Sequence, residues 1–388
     1  MSRVALVGLK KSYRGAAALD GATLDIEAGE LVAALGPSRS GKSTLGLVVA
    51  GLERLDEGEI FVDQRMVQSL PTRARDVALV FEDDALRPRV KIVENLKDLF
   101  RARGMPRSER EPRSREALAA LGIEALGDEY PESIAALDRR RVALARALAI
   151  GPKLLVMDEP FGALDAAACL DFEGDLRRIR DERGLATLVL TRAPRVAFAL
   201  ADRVALLDAG KVVQVGAPEF LYNRPCDAFA ARFLGPVNLV EGRVDRTDAR
   251  GAIVVRTPWG RLAGSNEQAT LADGAAATIA IRPENLSFAP LSTHDANRFS
   301  ARVERLIFEG PGRRVLLRGS DDGLLEAFAT QVSSRGLRVG QTVTLWVAPE
   351  SVVVLPGRYA TTSRHAAPSP LDDEPAETAD ESLEVEED

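Results

Sequence analysis

The sequence predicts an α/β domain on a largely parallel sheet, followed by a small all-β domain and an acidic tail. Three observations carry that prediction. The stretch LVAALGPSRSGKST, residues 31 to 44, is an apolar strand that runs into a glycine-bounded loop and then a helix. Apolar runs then alternate with helical patterns to about residue 234, as strands joined by crossover helices do. From residue 235 the pattern becomes short alternating strands with Gly and Asp turns. The expected division is 1–234, 235–356 and a tail over 357–388.

Composition narrows the class. Formal net charge is −7, but ten acidic and no basic residues follow Leu371, so the remainder carries +3. Nothing in that balance points to nucleic acid. Cys169 and Cys226 make no disulfide framework and fit a reduced, cytoplasmic setting. No apolar run reaches the ~18–20 residues that span a bilayer, and the start MSRVALVGLKKSYRG lacks a signal-peptide pattern.

The elements follow in order. Residues 3 to 35 read as strands with turns at Asp20-Gly21 and Ala28-Gly29. Tyr13 precedes the loop, where an aromatic ring would stack on a base; a plain surface or core tyrosine is the other reading. The loop fits G-x-x-x-x-G-K-[ST], with Gly36, Pro37, Ser38, Arg39, Ser40, Gly41, Lys42, Ser43 and then Thr44. Its glycines let backbone N–H groups converge on an anion at the helix N-terminus. Lys42 would reach the outer phosphates and the Ser43 hydroxyl would ligate Mg²⁺.

Next come a helix over 44–58, a hairpin in GEIFVDQRMV, and the strand ARDVALVFEDDAL ending in Glu82, Asp83 and Asp84. Carboxylates at a strand end of an α/β sheet stand where such sheets bind ligands. A helical pattern from Val93 to Ala120 contains RSEREPRSRE, read as a solvated face or loop. RRRVALARALA is helical, with Arg139, Arg140, Arg141 and Arg146 on polar positions. LLVMDE is an apolar strand ending in Asp158 and Glu159, a placement that asks for a nearby cation. With a phosphate loop upstream, Asp158 would hold Mg²⁺ through water and Glu159 would polarise the attacking water. Strand ATLVLT, helix RVAFALADR and hairpin VALLDAGKVVQVG complete the α/β domain.

This order of motifs resembles the nucleotide-binding subunit of an ABC transporter, most closely the ATPases of binding-protein-dependent importers for maltose, polyamines, sulfate or ferric ion. GPSRSGKST, AGLERLDEGEI, RVALARALA, LLVMDEPFGALD and LADRVALLDAGKVVQVGAPEFLYNRP carry the resemblance. FAARFLGPVNLVEG and AIRPENL extend it to about residue 356, into a TOBE-type OB-like domain. The DEPFGALD stretch argues against phosphate-loop kinases or GTPases. The resemblance implies ATP and Mg²⁺ as cofactors and a peripheral position on the cytoplasmic face of the membrane. It also implies membrane permease partners, a second ATP-binding subunit paired head to tail, and a substrate-binding protein acting indirectly. Each ATP would lie between the phosphate loop of one subunit and an LSGGQ signature of the other.

The chain departs from that pattern. In place of LSGGQ stand Ile134, Ala135, Ala136, Leu137 and Asp138. Glu82 replaces the glutamine expected to ligate Mg²⁺, and it can still do so. Arg192 replaces the switch histidine; it keeps positive charge near the γ-phosphate and cannot titrate as imidazole does. Arg39 replaces a glycine, and an αL conformation there would be strained. Expected catalytic positions are Glu159, Glu82 and Arg192; expected metal ligands are Ser43, Asp158 and Glu82. Two readings follow. One is an importer subunit coupling ATP hydrolysis to transport. The other is a non-hydrolysing ATP-binding subunit that regulates or scaffolds, active only beside an intact partner.

Three further expectations concern the rest. DDALRPRVKIVENL, with Arg87, Arg89 and Lys91, matches the permease-facing region of the family; it reads equally as a solvated loop or as a direct contact, and the contact predicts an acidic surface on the permease. Residues 237–290 and 299–356 form a weak internal repeat, read as paired OB-like barrels with a structural role. The tail, rich in Pro, Ala, Asp and Glu, buries too little to fold.

Overall fold

The computed structural model describes residues 3–247, 251–266, 271–289 and 297–358. The tail expected to be disordered lies outside the described residues from 359 onward.

The six-stranded sheet runs Lys211–Gly216, Arg203–Asp208, Leu31–Leu35, Ala186–Thr191, Leu154–Asp158, Val77–Val80, parallel except for the first pair. All five residues of Leu31–Leu35 are buried. Leu31, Ala33 and Leu35 face the helices of one core, while Val32 and Ala34 face a second core under an antiparallel sheet. That period-2 division of a continuous apolar run is what a strand covered on both faces requires. The antiparallel sheet is Ala16–Ile26, Val4–Tyr13, Glu57–Val62, Arg65–Met66.

Asp20-Gly21 corrects the expected turn. The strand Ala16–Ile26 passes straight through it, with Gly21 at φ +84° inside a register shift against Leu9 and Lys10. The pair is a bulge, and the reversal lies at Arg14-Gly15, both at positive φ. The bulge sends the Asp20 N–H to the Gly210 carbonyl at 2.9 Å, which holds the hairpin against the phosphate loop. RSEREPRSRE lies within the helix Arg107–Ala119, mostly exposed, with Pro112 inside it.

The β region holds two antiparallel sheets around one core. The first is Gly260–Gly264, Ile253–Thr257, Asn238–Thr247, Ala276–Ile281, Val352–Pro356; the second is Leu324–Thr330, Gly312–Arg318, Asn297–Phe308, Thr342–Val347. The repeat is visible: Ala276–Ile281 leads into the 3₁₀ turn Pro283–Asn285 as Thr342–Val347 leads into Pro349–Ser351. The halves do not close separate barrels, however. Val352–Pro356, from the second half, pairs with Ala276–Ile281 of the first, and Ser287 bridges to Trp346 of the second. Asn238 bonds the Glu326 backbone across the seam, and Asn297 reciprocally bonds the Ala263 backbone. A half of under about 60 residues is marginal on its own, and here the two interlock around one core.

Arg282 joins this region to the α/β domain. Buried, it donates to the carbonyls of Tyr222, Ala231, Gly235 and Pro236 at 2.8–3.3 Å and stacks 3.9 Å from the Tyr222 ring.

Candidate nucleotide site

The phosphate loop joins Leu31–Leu35 to the helix Lys42–Ala50. Two close approaches explain its glycines. A Cβ on Gly36 would stand 2.3 Å from the Leu207 carbonyl oxygen, and one on Gly41, at φ +102°, 2.3 Å from that of Ala18. Arg39 stands at φ +66°, the left-handed conformation foreseen for that position, with its side chain exposed.

Lys42 is buried and folds back on its own loop. Its ammonium donates to the carbonyls of Gly36 at 2.7 Å and Pro37 at 2.8 Å and to the Ser40 hydroxyl at 3.2 Å. Burial lowers its pKa to about 8, with Glu159 and Asp158 opposing and Arg192 reinforcing the shift. Asp158 sits half-buried at its strand end and hydrogen-bonds Ser43. Burial pushes its carboxyl upward; the Ser43 bond and Lys42 oppose this, and Glu159 and Glu82 add to it. A carboxylate crowded in this way favours a cation beside it.

Parallel register brings the other groups in. Asp158 pairs with Leu190, so Glu159 emerges beside Thr191 and Arg192. Glu159 takes φ +43° and its N–H bonds the Leu190 carbonyl. Both carboxylate oxygens are engaged: Oε2 accepts from the Thr191 hydroxyl at 3.0 Å and Oε1 from Arg192 Nε at 2.9 Å. Arg192 also stands 3.9 Å from Glu82.

A cavity of about 400 Å³ is lined by Ser38, Arg39, Gly41, Lys42, Ser43, Thr44, Glu82, Glu159 and Arg192. Gly36, Pro37 and Ser40 lie behind it as acceptors for Lys42. Tyr13 is not in the lining; it is 40% exposed at the end of its strand, with Lys11 Nζ 5.1 Å from its ring centroid. Among the described residues no three His, Cys, Asp or Glu side chains form a ready metal cage. Ser43 and Glu82 line the cavity and Asp158 bonds Ser43, an all-oxygen set of the kind a hard cation such as Mg²⁺ would take.

The sequence reading missed several contacts. Thr191 is buried and holds Glu159; nothing in ATLVLT distinguishes it from a strand residue. Arg140 and Arg146, read as polar helix positions, turn inward to the carbonyls of the 81–85 loop. In the helix Ala136–Leu148, Asp138 faces along its own helix to Arg141 at 3.5 Å, and Leu137 packs on the core. The basic loop is partly neutralised: Arg87 pairs with Asp98 and Lys91 with Asp128, and Arg89 is exposed.

The ABC transporter family model matches residues 19–162, and the TOBE domain model residues 279–355. The sulfate/thiosulfate import ATP-binding protein CysA of Burkholderia mallei is 36% identical over 359 residues, 90% of this chain and 98% of that protein. The chain belongs to the ATP-binding subunits of ABC importers. The CysA protein of Nocardia farcinica is 34% identical over 91% of this chain and 99% of its own length. A solved structure, the dimeric structure of MJ0796, a bacterial ABC transporter cassette, is 30% identical over 55% of this chain and 98% of that one, with a TM-score of 0.50. A post-hydrolysis state of the same cassette, bound to ADP and Pi, matches equally. This importer subunit binds nucleotide, pairs with a second cassette, and drives import through a membrane permease with which it associates. No helix of the described residues is long and apolar enough to cross a membrane.

Proposed function

We propose that this subunit binds Mg–ATP in the cavity around Lys42 and powers an anion importer of the sulfate/thiosulfate kind, with hydrolysis held slow by Arg192. The substrate class rests on the names of the relatives. Residues 1–234 form the ATP-binding domain in this reading, and 235–356 the β domain. The subunit sits peripherally on the cytoplasmic face, paired head to tail, with the substrate-binding protein engaging only the permease.

Each residue has a role. The loop N–H groups and Lys42 bind the phosphates, releasing Lys42 from the carbonyls that now hold it. Ser43, Asp158 and Glu82 hold Mg²⁺, which supplies charge neutralisation between the phosphates. Glu159 orients the attacking water. The observation that carries the attenuated-hydrolysis reading is the 2.9 Å bond from Arg192 Nε to Glu159 Oε1. A carboxylate with both oxygens engaged, one by a guanidinium, is a weak acceptor for a water proton. The changed stretch Ile134–Asp138 adds to this by removing the hydroxyl and flexible backbone that would meet the partner's γ-phosphate.

The test is phosphate release from Mg–ATP by the purified chain at a concentration that favours dimers, beside an ATP-binding assay. The expected result is ATP binding with turnover that rises at least tenfold in Arg192→His and vanishes in Glu159→Gln. Fast wild-type turnover that Arg192→His leaves unchanged overturns the attenuation. A second reading is favoured by the altered signature: beside a partner with an intact LSGGQ, this chain's loop and Glu159 would form the competent site. Turnover that appears only on adding such a partner supports it.

A further inference from the structure

Four carbonyls of the loop between the strand Val77–Val80 and the helix Ile92–Ala102 are gripped from a distant helix. Arg140 Nη1 donates to the Phe81 carbonyl and Nη2 to that of Glu82, both at 3.1 Å. One helical turn and a half further on, Arg146 Nη2 donates to the Asp84 carbonyl at 2.7 Å and Nη1 to that of Ala85 at 2.5 Å. The Asp84 carboxylate turns back on Arg140, with Oδ1 2.9 Å from Nη1, and the two side chains are only 13% and 3% exposed. Asp84 and Ala85 stand at φ +60° and +46°. Two successive non-glycine residues in that region persist only where their surroundings hold them.

We infer that Arg140, Arg146 and Asp84 are positioning residues that fix Glu82 at the nucleotide cavity, so that metal-dependent nucleotide binding depends on a buried ion pair that touches neither ligand. The inference rests on the proposed Mg–ATP site. Glu82 is the cavity's one lining residue from this loop, and its side chain is otherwise largely exposed. Its backbone is therefore what sets where its carboxylate reaches. Fixing that backbone before the metal arrives spares the ordering cost at binding, as outer groups do for ligands in metal sites. The grip also explains why an arginine sits buried on a helix whose other inward residues are apolar. A buried guanidinium needs an anion and acceptors: Asp84 supplies the charge and the two carbonyls accept from Nη1 and Nη2, while Arg140 Nε has no hydrogen-bond partner among the described residues.

The experiment is titration of the full-length chain with ATP, in EDTA and at rising MgCl₂. Removing one partner of a buried pair risks unfolding, so the main variant is Asp84→Leu with Arg140→Met, an apolar replacement of the pair that folds tolerate. Arg146→Met, which leaves the ion pair intact, is the second variant. The expected result for the double variant is ATP affinity in EDTA within about twofold of wild type, with the Mg²⁺ needed for half-maximal binding raised about 10–100-fold. Arg146→Met shifts it in the same direction. Glu82→Ala, damaging in the wild-type background, adds nothing in the double variant. An unchanged Mg²⁺ requirement, or an additive effect of Glu82→Ala, overturns the positioning role and leaves the nucleotide site standing. Failure of the wild type to bind ATP overturns both.

Discussion

At the residue scale, Lys42 is the most informative group. Its pKa of about 8 comes from burial against loop carbonyls. Polyphosphate at the same ammonium would favour the charged form and raise that value. ATP binding is then expected to take up a proton above pH 8, and affinity to fall as pH rises through that point. Calorimetry in buffers of different ionisation enthalpy checks this; proton uptake absent at pH 8.5 contradicts it. The same shift acts on folding. The unfolded chain holds more protons at this site between pH 8 and the ordinary lysine value of 10.5, so the site's contribution to stability grows as pH rises across that window. Arg39 gives a second prediction. A non-glycine residue at φ +66° costs about 1 kcal/mol, so Arg39→Gly is expected to raise the melting temperature by a few degrees. A drop would mean that the exposed guanidinium contributes more than its backbone costs.

At the element scale, the helix Ala166–Arg183 supports the turn that presents Glu159. Asp165 caps it through the Ala168 N–H, and buried Phe172 meets Phe161 edge-on at 5.5 Å. Phe161 lies two residues after Glu159, so this contact holds the turn from below. Phe172→Ala is expected to cost about 3–5 kcal/mol in urea unfolding. A cost under 1 kcal/mol would show that the helix end collapses freely. Legibility in the sequence follows the same logic. The phosphate loop was readable because its chemistry sits in consecutive residues, and Asp158 and Glu159 because their strand is uninterruptedly apolar. The Arg192–Glu159 bond was not, because two strands must lie in one register before those side chains meet. Arg140 escaped because helical periodicity marks it as polar without saying which way a long side chain turns. Asp20-Gly21 misled for a related reason: a bulge and a hairpin turn use the same residue types.

At the scale of the whole molecule, one buried guanidinium sits at the centre of the joint between the two regions, beside the bond from Arg224 to the Glu350 backbone carbonyl and an apolar cluster of Ala231, Ala280, Val353 and Leu355. Arg282 satisfies four carbonyls and stacks on Tyr222, whose hydroxyl donates to Glu284 at 2.6 Å. Burial, then the Glu284 bond, raises the Tyr222 phenol to about 12, so the phenol keeps its proton through neutral and mildly alkaline pH. Arg282→Ala would orphan those buried carbonyls at about 1–3 kcal/mol each. Scanning calorimetry is expected to show one unfolding transition in the wild type and two in the variant; a single shifted transition would place the coupling elsewhere. This joint was not legible in the sequence, because Arg282 lies just past the end of the strand Ala276–Ile281, more than forty residues beyond the Gly235 carbonyl that it holds.

The last strand of the β region has a consequence for how the chain is made. Val352–Pro356 completes the sheet begun by Asn238–Thr247 and continued by Ala276–Ile281. A ribosome adding about 5–20 residues per second leaves that sheet with an open edge for several seconds after its fourth strand has been made. During that interval the edge offers unpaired backbone groups to any neighbouring nascent chain. The nucleotide-binding half, whose strands are all complete by Gly216, can fold meanwhile. Biogenesis therefore has a vulnerable period confined to the second half, and a message truncated before codon 352 would yield a cassette that folds and a β region that does not.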